Sequence, residues 1–268
     1  DVLDYHASRY VPNNVVLSIA GDVDAAEILS HLELLVEDLK SRPLNREPIP
    51  HEPHQFGSRR VRKEFAVPYS KLHLAWRLPC SAHPDTPALS ALSSILGGGR
   101  SARFYEKFHD RLGLVYSIEV HSNQSETDEG AFTISMDVDR AQRDKVRDMV
   151  LQELRNLAEE DFTEDLKRVC KQTRVSRLRR RSSASGVASE MGADWFGARN
   201  LNLSSEWQEA IERVTTEDLH RVCSTWLSSP NVTEVSLDPP GSNAGDEERA
   251  SASAGTALSE HVLGNGMK

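Results

Sequence analysis

Residues 97–117 read GGGRSARFYEKFHDRLGLVYS, and this stretch carries the strongest structural signal in the 268-residue chain. Phe104, Phe108 and Leu112 recur at i, i+4 and i+8, a spacing that places them on one stripe of a helix. Ser101 precedes the stripe and can accept hydrogen bonds from the first free amides, so we expect it to be the N-cap. The sequence therefore predicts a short amphipathic helix that directly follows a glycine run.

A strand is predicted immediately after this helix. Gly113 ends the helical pattern, since glycine readily adopts the left-handed conformation that closes many helices. Beyond it the apolar side chains occupy alternate positions, which is the period of a half-buried strand. The alternating residues are Leu114, Tyr116, Ile118 and Val120. The stretch therefore predicts a helix, a glycine turn and a strand, in that order.

Helical and strand patterns extend to both sides of this stretch. Residues 15–20 form a short apolar run that predicts a strand, after which Asp24 can cap an amphipathic helix. Residues 59–67 and 71–78 predict two strands that are antiparallel to each other. Further patterns predict helices from Thr86, over residues 146–157, from Thr163 and from Thr215, and strands at 131–138 and 232–237. Strands flanked by long helices, mostly on one face, indicate an α+β fold with one sheet layer and one helical layer.

Three further segments carry a resemblance to a known family. Residues 10–17 read YVPNNVVL, GDVD follows at 21–24, and VTTEDL occupies 214–219. Together with LGLVYS at 112–117, these segments resemble, in the same order, those of the pitrilysin/insulinase zinc metallopeptidases, which are inverzincins similar to the mitochondrial processing peptidase. The chain resembles the C-terminal, non-catalytic half of one module. The resemblance implies a two-layer α+β domain of the mitochondrial-processing-peptidase/metallohydrolase-like type.

The resemblance also implies an order of domains. Residues 1–42 are expected to be the last βα unit of a preceding catalytic half, and the proline-rich residues 43–57 a linker. Residues 58–238 would form the non-catalytic domain. Residues 239–257 are rich in glycine, serine and acidic side chains, which predicts a flexible linker. Residues 258–268 resemble the start of a second module, so we expect the parent protein to continue.

Composition narrows the class of protein. The formal net charge is -9, which argues against nucleic acid as a partner. No apolar run approaches the roughly 20 residues that span a bilayer, so no membrane span is predicted. The sequence does not indicate the compartment. It is compatible with a soluble protein of the cytoplasm, with a periplasmic protein and with a secreted protein. Arginines concentrated within residues 174–181 predict a solvated helix face rather than an RNA site, since no aromatic residues are interleaved.

The sequence holds no zinc site of the kind that this family uses. Inverzincins bind zinc through an H-x-x-E-H helix, whose histidines share one face while the glutamate activates water. None of the ten histidines has this spacing. His51 and His54 flank Glu52, but they lie in the proline-rich linker, which offers no rigid face to set ligand geometry. We therefore expect no metal in this chain and zinc only in the catalytic half of the parent protein.

The resemblance implies substrate contact for two residues of the opening stretch. In some family members an arginine and a tyrosine reach the scissile peptide, and the tyrosine hydroxyl polarises its carbonyl. Tyr116 occupies the tyrosine's place, while His109, which lacks a guanidinium fork, occupies the arginine's. In this family, the glycine run at the place of Gly97, Gly98 and Gly99 forms a flexible loop near the wall of the chamber that encloses the substrate. A phosphate-binding loop is not predicted, because such a loop follows a strand, whereas these glycines follow a helix.

Two functions of different classes are consistent with these patterns. In the first, the chain is the non-catalytic half of a two-module zinc metallopeptidase and closes against the catalytic half of its module to enclose a peptide or protein substrate. On this hypothesis the chain alone is inactive, with no complete catalytic site. In the second, the chain belongs to an inactive homologue with a structural or scaffolding role. An H-x-x-E-H motif in the flanking residues of the parent protein would distinguish the two.

Overall fold

The computed structural model describes residues 2–44, 53–124, 129–228 and 230–240. The α-helices are α1 (Val2–Arg9), α2 (Ala25–Val36), α3 (Thr86–Gly97), α4 (Arg143–Asn156), α5 (Thr163–Arg180), α6 (Ala184–Ala198), α7 (Leu203–Glu212) and α8 (Thr216–Val222). The strands are β1 (Arg59–Glu64), β2 (Ser70–Leu78), β3 (Val115–Asn123), β4 (Gly130–Val138) and β5 (Thr233–Asp238). Two π-helical segments, Tyr105–Arg111 and Cys223–Leu227, accompany them.

The five strands form one sheet in the order β1-β5-β2-β4-β3. β1 runs parallel to β5, while every other neighbouring pair is antiparallel. The two strands predicted after the linker are present and run in opposite directions, but they are not neighbours, because β5 lies between them. Leu237 is paired with Lys63 of β1 on one side and with Lys71 of β2 on the other. Alternation along a strand determines which face is buried, but it does not indicate which strand lies beside it.

The hydrophobic core lies between the sheet and the helices that cover one of its faces, among them α3, α4 and α8, whereas α1 and α2 contribute no residue to it. Leu72, Leu74, Trp76 and Leu78 of β2 are buried, as their alternation predicts. The same core contains Leu89, Leu92, Ile95 and Leu96 of α3. The two-layer α+β fold is therefore confirmed.

The opening stretch folds in the predicted order, but its helix differs from the prediction. Phe104 and Phe108 are buried, with their rings edge to face and their centroids 5.5 Å apart. Leu112, by contrast, is 45% exposed, because residues 105–111 form a π-helix, which holds more residues in each turn than an α-helix. The wider turn rotates Leu112 off the buried stripe. Ser101 is not the N-cap, since the helix begins at residue 103.

The N-terminal segment departs from the predicted βα unit. Asp24 caps α2 as expected, because its carboxylate accepts hydrogen bonds from the amides of Ala26 and Glu27, both at 2.9 Å. Residues 15–20, however, pair with no described strand, so the predicted strand is not formed. A strand requires hydrogen bonds to a neighbour, and the sheet offers none beside this segment. Consequently none of the apolar side chains of this segment and of α2 is buried, and most of them are exposed.

The predicted linkers fall only partly within the described residues. The end of the first linker is held against the start of β5, because the Asn231 side-chain amide donates a 2.8 Å hydrogen bond to the carbonyl of Gln55. Residues 45–52 and 241–268 lie outside the described residues. The predicted linker 239–257 is therefore described only at its first two residues, and the predicted start of a second module is not described.

A buried ion pair joins the helical layer to the sheet. Arg143, the first residue of α4, pairs with Asp238, the last residue of β5, and both are nearly excluded from water. Ser70 donates a 2.6 Å hydrogen bond to the other oxygen of the same carboxylate. Burial lowers the pKa of Arg143, but hydrogen bonds to Asp144 and Asp238 outweigh burial and raise it overall. This charged contact holds the end of β5 against the first turn of α4.

Candidate functional site

Within the described residues, one face of the sheet carries no helix, and we call it the open face. On β2 it presents Lys71, His73, Ala75 and Arg77, which alternate with the buried core residues. The register of the sheet sets the neighbours of these side chains, since directly paired residues lie on the same face. The neighbours are Arg59, Val61 and Lys63 on β1, Thr233, Val235 and Leu237 on β5, Thr133, Ser135 and Asp137 on β4, and Glu119 and His121 on β3. The open face is therefore broad and mostly polar.

Two side-chain contacts organise the middle of the open face. His73 Nδ1 lies 2.8 Å from Ser135 Oγ, and burial lowers the pKa of His73, which keeps the imidazole neutral near pH 7. Lys71 Nζ lies 2.9 Å from a carboxylate oxygen of Asp137. In the described part of the chain no carboxylate is hydrogen-bonded to His73, so the pair lacks the orienting group of a catalytic triad.

Tyr116 lies in the irregular first residues of β3, which is an edge strand. It is 51% exposed, and its ring contacts that of Tyr69 with the two centroids 3.9 Å apart. The negative charge of Asp139 raises the pKa of Tyr116 above its ordinary value. The hydroxyl group therefore stays protonated at neutral pH and can donate a hydrogen bond.

His109 lies on the π-helix that precedes β3. Its ring stacks on that of Tyr105 at a centroid distance of 4.3 Å, and its Nδ1 lies 2.7 Å from a carboxylate oxygen of Asp110. Over the described ranges no hydrogen bond or ring contact joins His109 to Tyr116. The structure thus places the two predicted residues on consecutive elements without direct contact between them.

The glycine run ends α3, and each glycine has a structural reason. Gly97 packs against β3, because a Cβ atom there would lie 2.6 Å from both the Cβ and the backbone nitrogen of Val120. A Cβ atom at Gly98 would overlap the carbonyl oxygen of Ser94, to which the Gly98 amide donates a 2.9 Å hydrogen bond. Gly99 has a φ of +102°, which residues with a side chain rarely adopt. The run is a tight helix end beside β3, and its proximity to substrate stays a prediction.

Potential metal ligands and thiols are scattered. Among the residues that the structure describes, no group of three or more His, Cys, Asp or Glu side chains could hold a metal ion. Of the linker residues considered above, only His54 is described, while His51 and Glu52 lie outside. Burial raises the pKa of the Cys223 thiol to about 12 and also raises that of Cys170, so neither is a ready nucleophile. The described donors do not fit the zinc ion that the resemblance implies for the parent protein.

Fold and site together define a class of protein. The described residues form a sheet-and-helix domain that presents one accessible sheet face, without an assembled triad or metal centre among them. None of its described helices is long and apolar enough to cross a membrane. Residues 1–172 match the model of the peptidase M16 inactive domain, and the chain belongs to this family.

Similar proteins are consistent with this assignment. The zinc protease PqqE of Helicobacter pylori is 24% identical over 247 residues, which cover 89% of this chain and 54% of that protein. The crystal structure of a protease from Helicobacter pylori has a TM-score of 0.76 at 24% identity, covering 89% of this chain and 58% of that one. The crystal structure of the peptidase M16 inactive domain from Pseudomonas fluorescens has a TM-score of 0.69 at 19% identity, and the match covers 83% of this chain and 53% of that one. The structural likeness shows the shared fold, and the chain spans about half the length of the curated relatives it matches.

Two parts of this surface are not evident from the sequence. Tyr69 lies directly before β2, and only the fold brings its ring against that of Tyr116. The basic side chains of β1 are the second part. The sequence RRVRKE at residues 59–64 has basic side chains at both odd-numbered and even-numbered positions, so cations lie on both faces of the strand. The sequence alone therefore does not show which of them are exposed on the open face.

Proposed function

We propose that this chain is the substrate-enclosing, non-catalytic half of a zinc metallopeptidase that hydrolyses peptides or proteins. The observation that carries the proposal is the open face, whose polar side chains alternate with core residues and have no helix over them in the described structure. An extended peptide can lie along this face while the H-x-x-E-H half of the parent protein cleaves it. Relatives that are named zinc proteases support the proposal.

The catalytic half of the same module is the partner that we propose for the N-terminal segment. Val15, Leu17 and Ile19 alternate along the unpaired residues 15–20, and all three are exposed. Helix α2 buries none of its residues, and its Leu35 is 76% exposed. A contiguous apolar surface on a folded protein marks an interaction site. We expect residues 15–20 to add a strand to the sheet of the catalytic half, and α2 to pack on that sheet.

Tyr116 and His109 are the residues that we propose as substrate contacts. The protonated Tyr116 hydroxyl can donate a hydrogen bond to the scissile carbonyl oxygen, on which negative charge develops as the peptide bond is attacked. The Asp110 carboxylate accepts a hydrogen bond from Nδ1 of His109 and so orients the ring. In that tautomer His109 Nε2 accepts a hydrogen bond from the Tyr105 hydroxyl, 3.5 Å away, and a substrate amide would take the place of that hydroxyl.

An activity assay with and without the catalytic half tests the proposal. The chain is incubated with an unstructured fluorogenic peptide and zinc, first alone and then mixed with the H-x-x-E-H half of its parent protein. We expect no hydrolysis by the chain alone, and more hydrolysis by the mixture than by the catalytic half alone. Robust hydrolysis by the purified chain contradicts the proposal, and so does a mixture no more active than the catalytic half.

The Tyr116→Phe variant tests the role of the hydroxyl group. In the mixed enzyme we expect kcat to fall about tenfold with little change in KM, since the hydrogen bond strengthens only as charge develops. The effect is smaller than for a closed oxyanion hole because water can reach the half-exposed Tyr116. Tyr69→Phe is the matched control, because it removes the hydroxyl of the adjoining ring and should leave kcat unchanged. An unchanged kcat in Tyr116→Phe would show that its hydroxyl does not act on the reacting carbonyl.

A further inference from the structure

Strand β1 forms one edge of the described sheet, and its outer side pairs with no strand among the described residues. The amide of Arg59 donates to the carbonyl of Val232, and the amide of Phe65 donates to that of Asp238, so the odd-numbered positions face β5. Successive residues of a strand direct their backbone groups to opposite sides. The backbone groups of Arg60 and Arg62 therefore point away from β5, where the described residues place no further strand. An extended peptide can form hydrogen bonds along this edge.

The side chains of β1 on the open face give this edge a distinct charge. Arg59 and Lys63 form no ion pair in the described structure, whereas the two cations of β2 on the same face are paired with carboxylates. Val61 lies between them and is 39% exposed. Positions i and i+4 of a strand are roughly 13 Å apart. The edge thus presents two unpaired positive charges with an apolar side chain midway.

The other cations of β1 hold the strand in place. Arg60 pairs with Glu234 of β5 at 2.9 Å, and Arg62 pairs with Asp144 of α4 at 2.7 Å. These contacts attach β1 to both layers of the domain, so its outer edge is preorganised for a ligand. The unpaired charges of β1 are also opposite in sign to the net charge of the chain, which is -9. The cations of β1 would attract an acidic ligand locally, although the net negative charge of the whole molecule repels it.

We propose that β1 binds an extended acidic peptide by strand addition, with the pattern acidic-x-apolar-x-acidic. The peptide backbone would bond to the free edge, its two carboxylates would pair with Arg59 and Lys63, and its apolar side chain would cover Val61. The inference rests on the proposed function, for which it names the class of a substrate segment distant from the scissile bond, because β1 and the strand of Tyr116 form opposite edges of the sheet. The same cations oppose addition of a second copy of β1, because like charges would then face each other.

Fluorescence anisotropy of labelled peptides measures this binding with the full chain and without a catalytic half. The test peptide has glutamate, valine and glutamate at alternate positions. A second peptide carries lysine in place of both glutamates, and a third is the test peptide with N-methyl groups on its backbone amides. We expect the test peptide to bind about tenfold more tightly than either of the others, since one loses the ion pairs and the other the edge hydrogen bonds.

A pair of double variants locates the binding site. Arg59→Glu with Lys63→Glu should weaken binding of the test peptide about tenfold or more, and Arg59→Gln with Lys63→Gln should weaken it less. The matched control is Arg179→Glu with Arg180→Glu, at the exposed end of α5, which changes the net charge of the chain by the same amount as the first variant. The control should leave binding unchanged. Circular dichroism checks that each variant is folded.

Three results would overturn the inference: equal binding of the acidic and basic peptides, undiminished binding of the N-methylated peptide, or equal weakening by the β1 and α5 variants. None of these results depends on hydrolysis. If the mixed enzyme hydrolyses acidic and basic peptides alike, the proposed function stands and the acidic preference fails. If the acidic peptide binds at β1 but the mixture is no more active than the catalytic half, the proposed function fails instead.

Discussion

Replacing Gly97 by alanine is expected to lower the free energy of unfolding by about 3 kcal/mol, although alanine is the better helix former. Gly97 is the last residue of α3, and an added Cβ would lie 2.6 Å from two atoms of Val120. One of these atoms is the backbone nitrogen of β3, which cannot move without displacing the strand. Urea unfolding at equilibrium measures the loss as a lower midpoint at unchanged slope.

Gly57→Ala is the matched control for this substitution. An added Cβ at Gly57 has no atom within 4 Å, and the residue does not have a positive φ. We expect its free energy of unfolding to change by less than about 0.5 kcal/mol. If Gly97→Ala were as stable as the parent, α3 would not approach β3 as closely as described. Because Tyr116 lies on the same strand as Val120, the Gly97 variant should also impair any function of Tyr116.

Replacing Arg143 by methionine is expected to cost about 4 kcal/mol of stability. The substitution keeps an unbranched apolar side chain at the start of α4 but leaves the Asp238 carboxylate buried, with Ser70 as its remaining hydrogen-bond donor. An unpaired buried charge is far more costly than the absence of both charges. The double variant Arg143→Met with Asp238→Leu should therefore recover part of the loss.

Arg213→Met is the control for this experiment. Arg213 and Glu209 form an ion pair at 3.8 Å in which both side chains are largely exposed, so the pair contributes little. We expect a loss below about 0.5 kcal/mol. Thermal or urea unfolding of all three variants, under the same buffer conditions, provides the comparison. A loss in Arg143→Met no larger than that in Arg213→Met would show that Arg143 is not needed to compensate a buried charge.

Local patterns predicted much of the framework. Asp24 and Thr215 were expected to begin helices, and each side chain accepts a hydrogen bond from an amide in the first turn. Gly113 was expected to end the helix of the opening stretch, and its φ is +57°. These features depend on residues two or three positions apart, so their free energy is largely set by local sequence.

The surface that we propose for substrate was predictable only in part. The resemblance pointed to Tyr116 and His109, and the structure places them on consecutive elements near the edge strand β3. The sequence did not indicate the π-helix that turns Leu112 towards solvent, because its hydrophobic pattern was interpreted with the regular helical period of 3.6 residues. Nor did it reveal Tyr69, whose contact with Tyr116 depends on how β2 and β3 are arranged around β4.

By itself the sequence determined most of the elements from α3 to β5, the buried faces of their strands and the membership of a family whose metal-binding motif is absent from this chain, but not the π-helix or the unpaired residues 15–20. Only the tertiary structure decided that β5 lies between β1 and β2, that α3 approaches β3 closely enough to require Gly97, and that Arg59 and Lys63 lie on the open face without an ion pair to any described residue. The physical reason is the range of the interactions. Caps and periodic faces depend on neighbours along the chain, whereas strand order, close packing and charge pairing depend on residues brought together from distant positions by the whole fold.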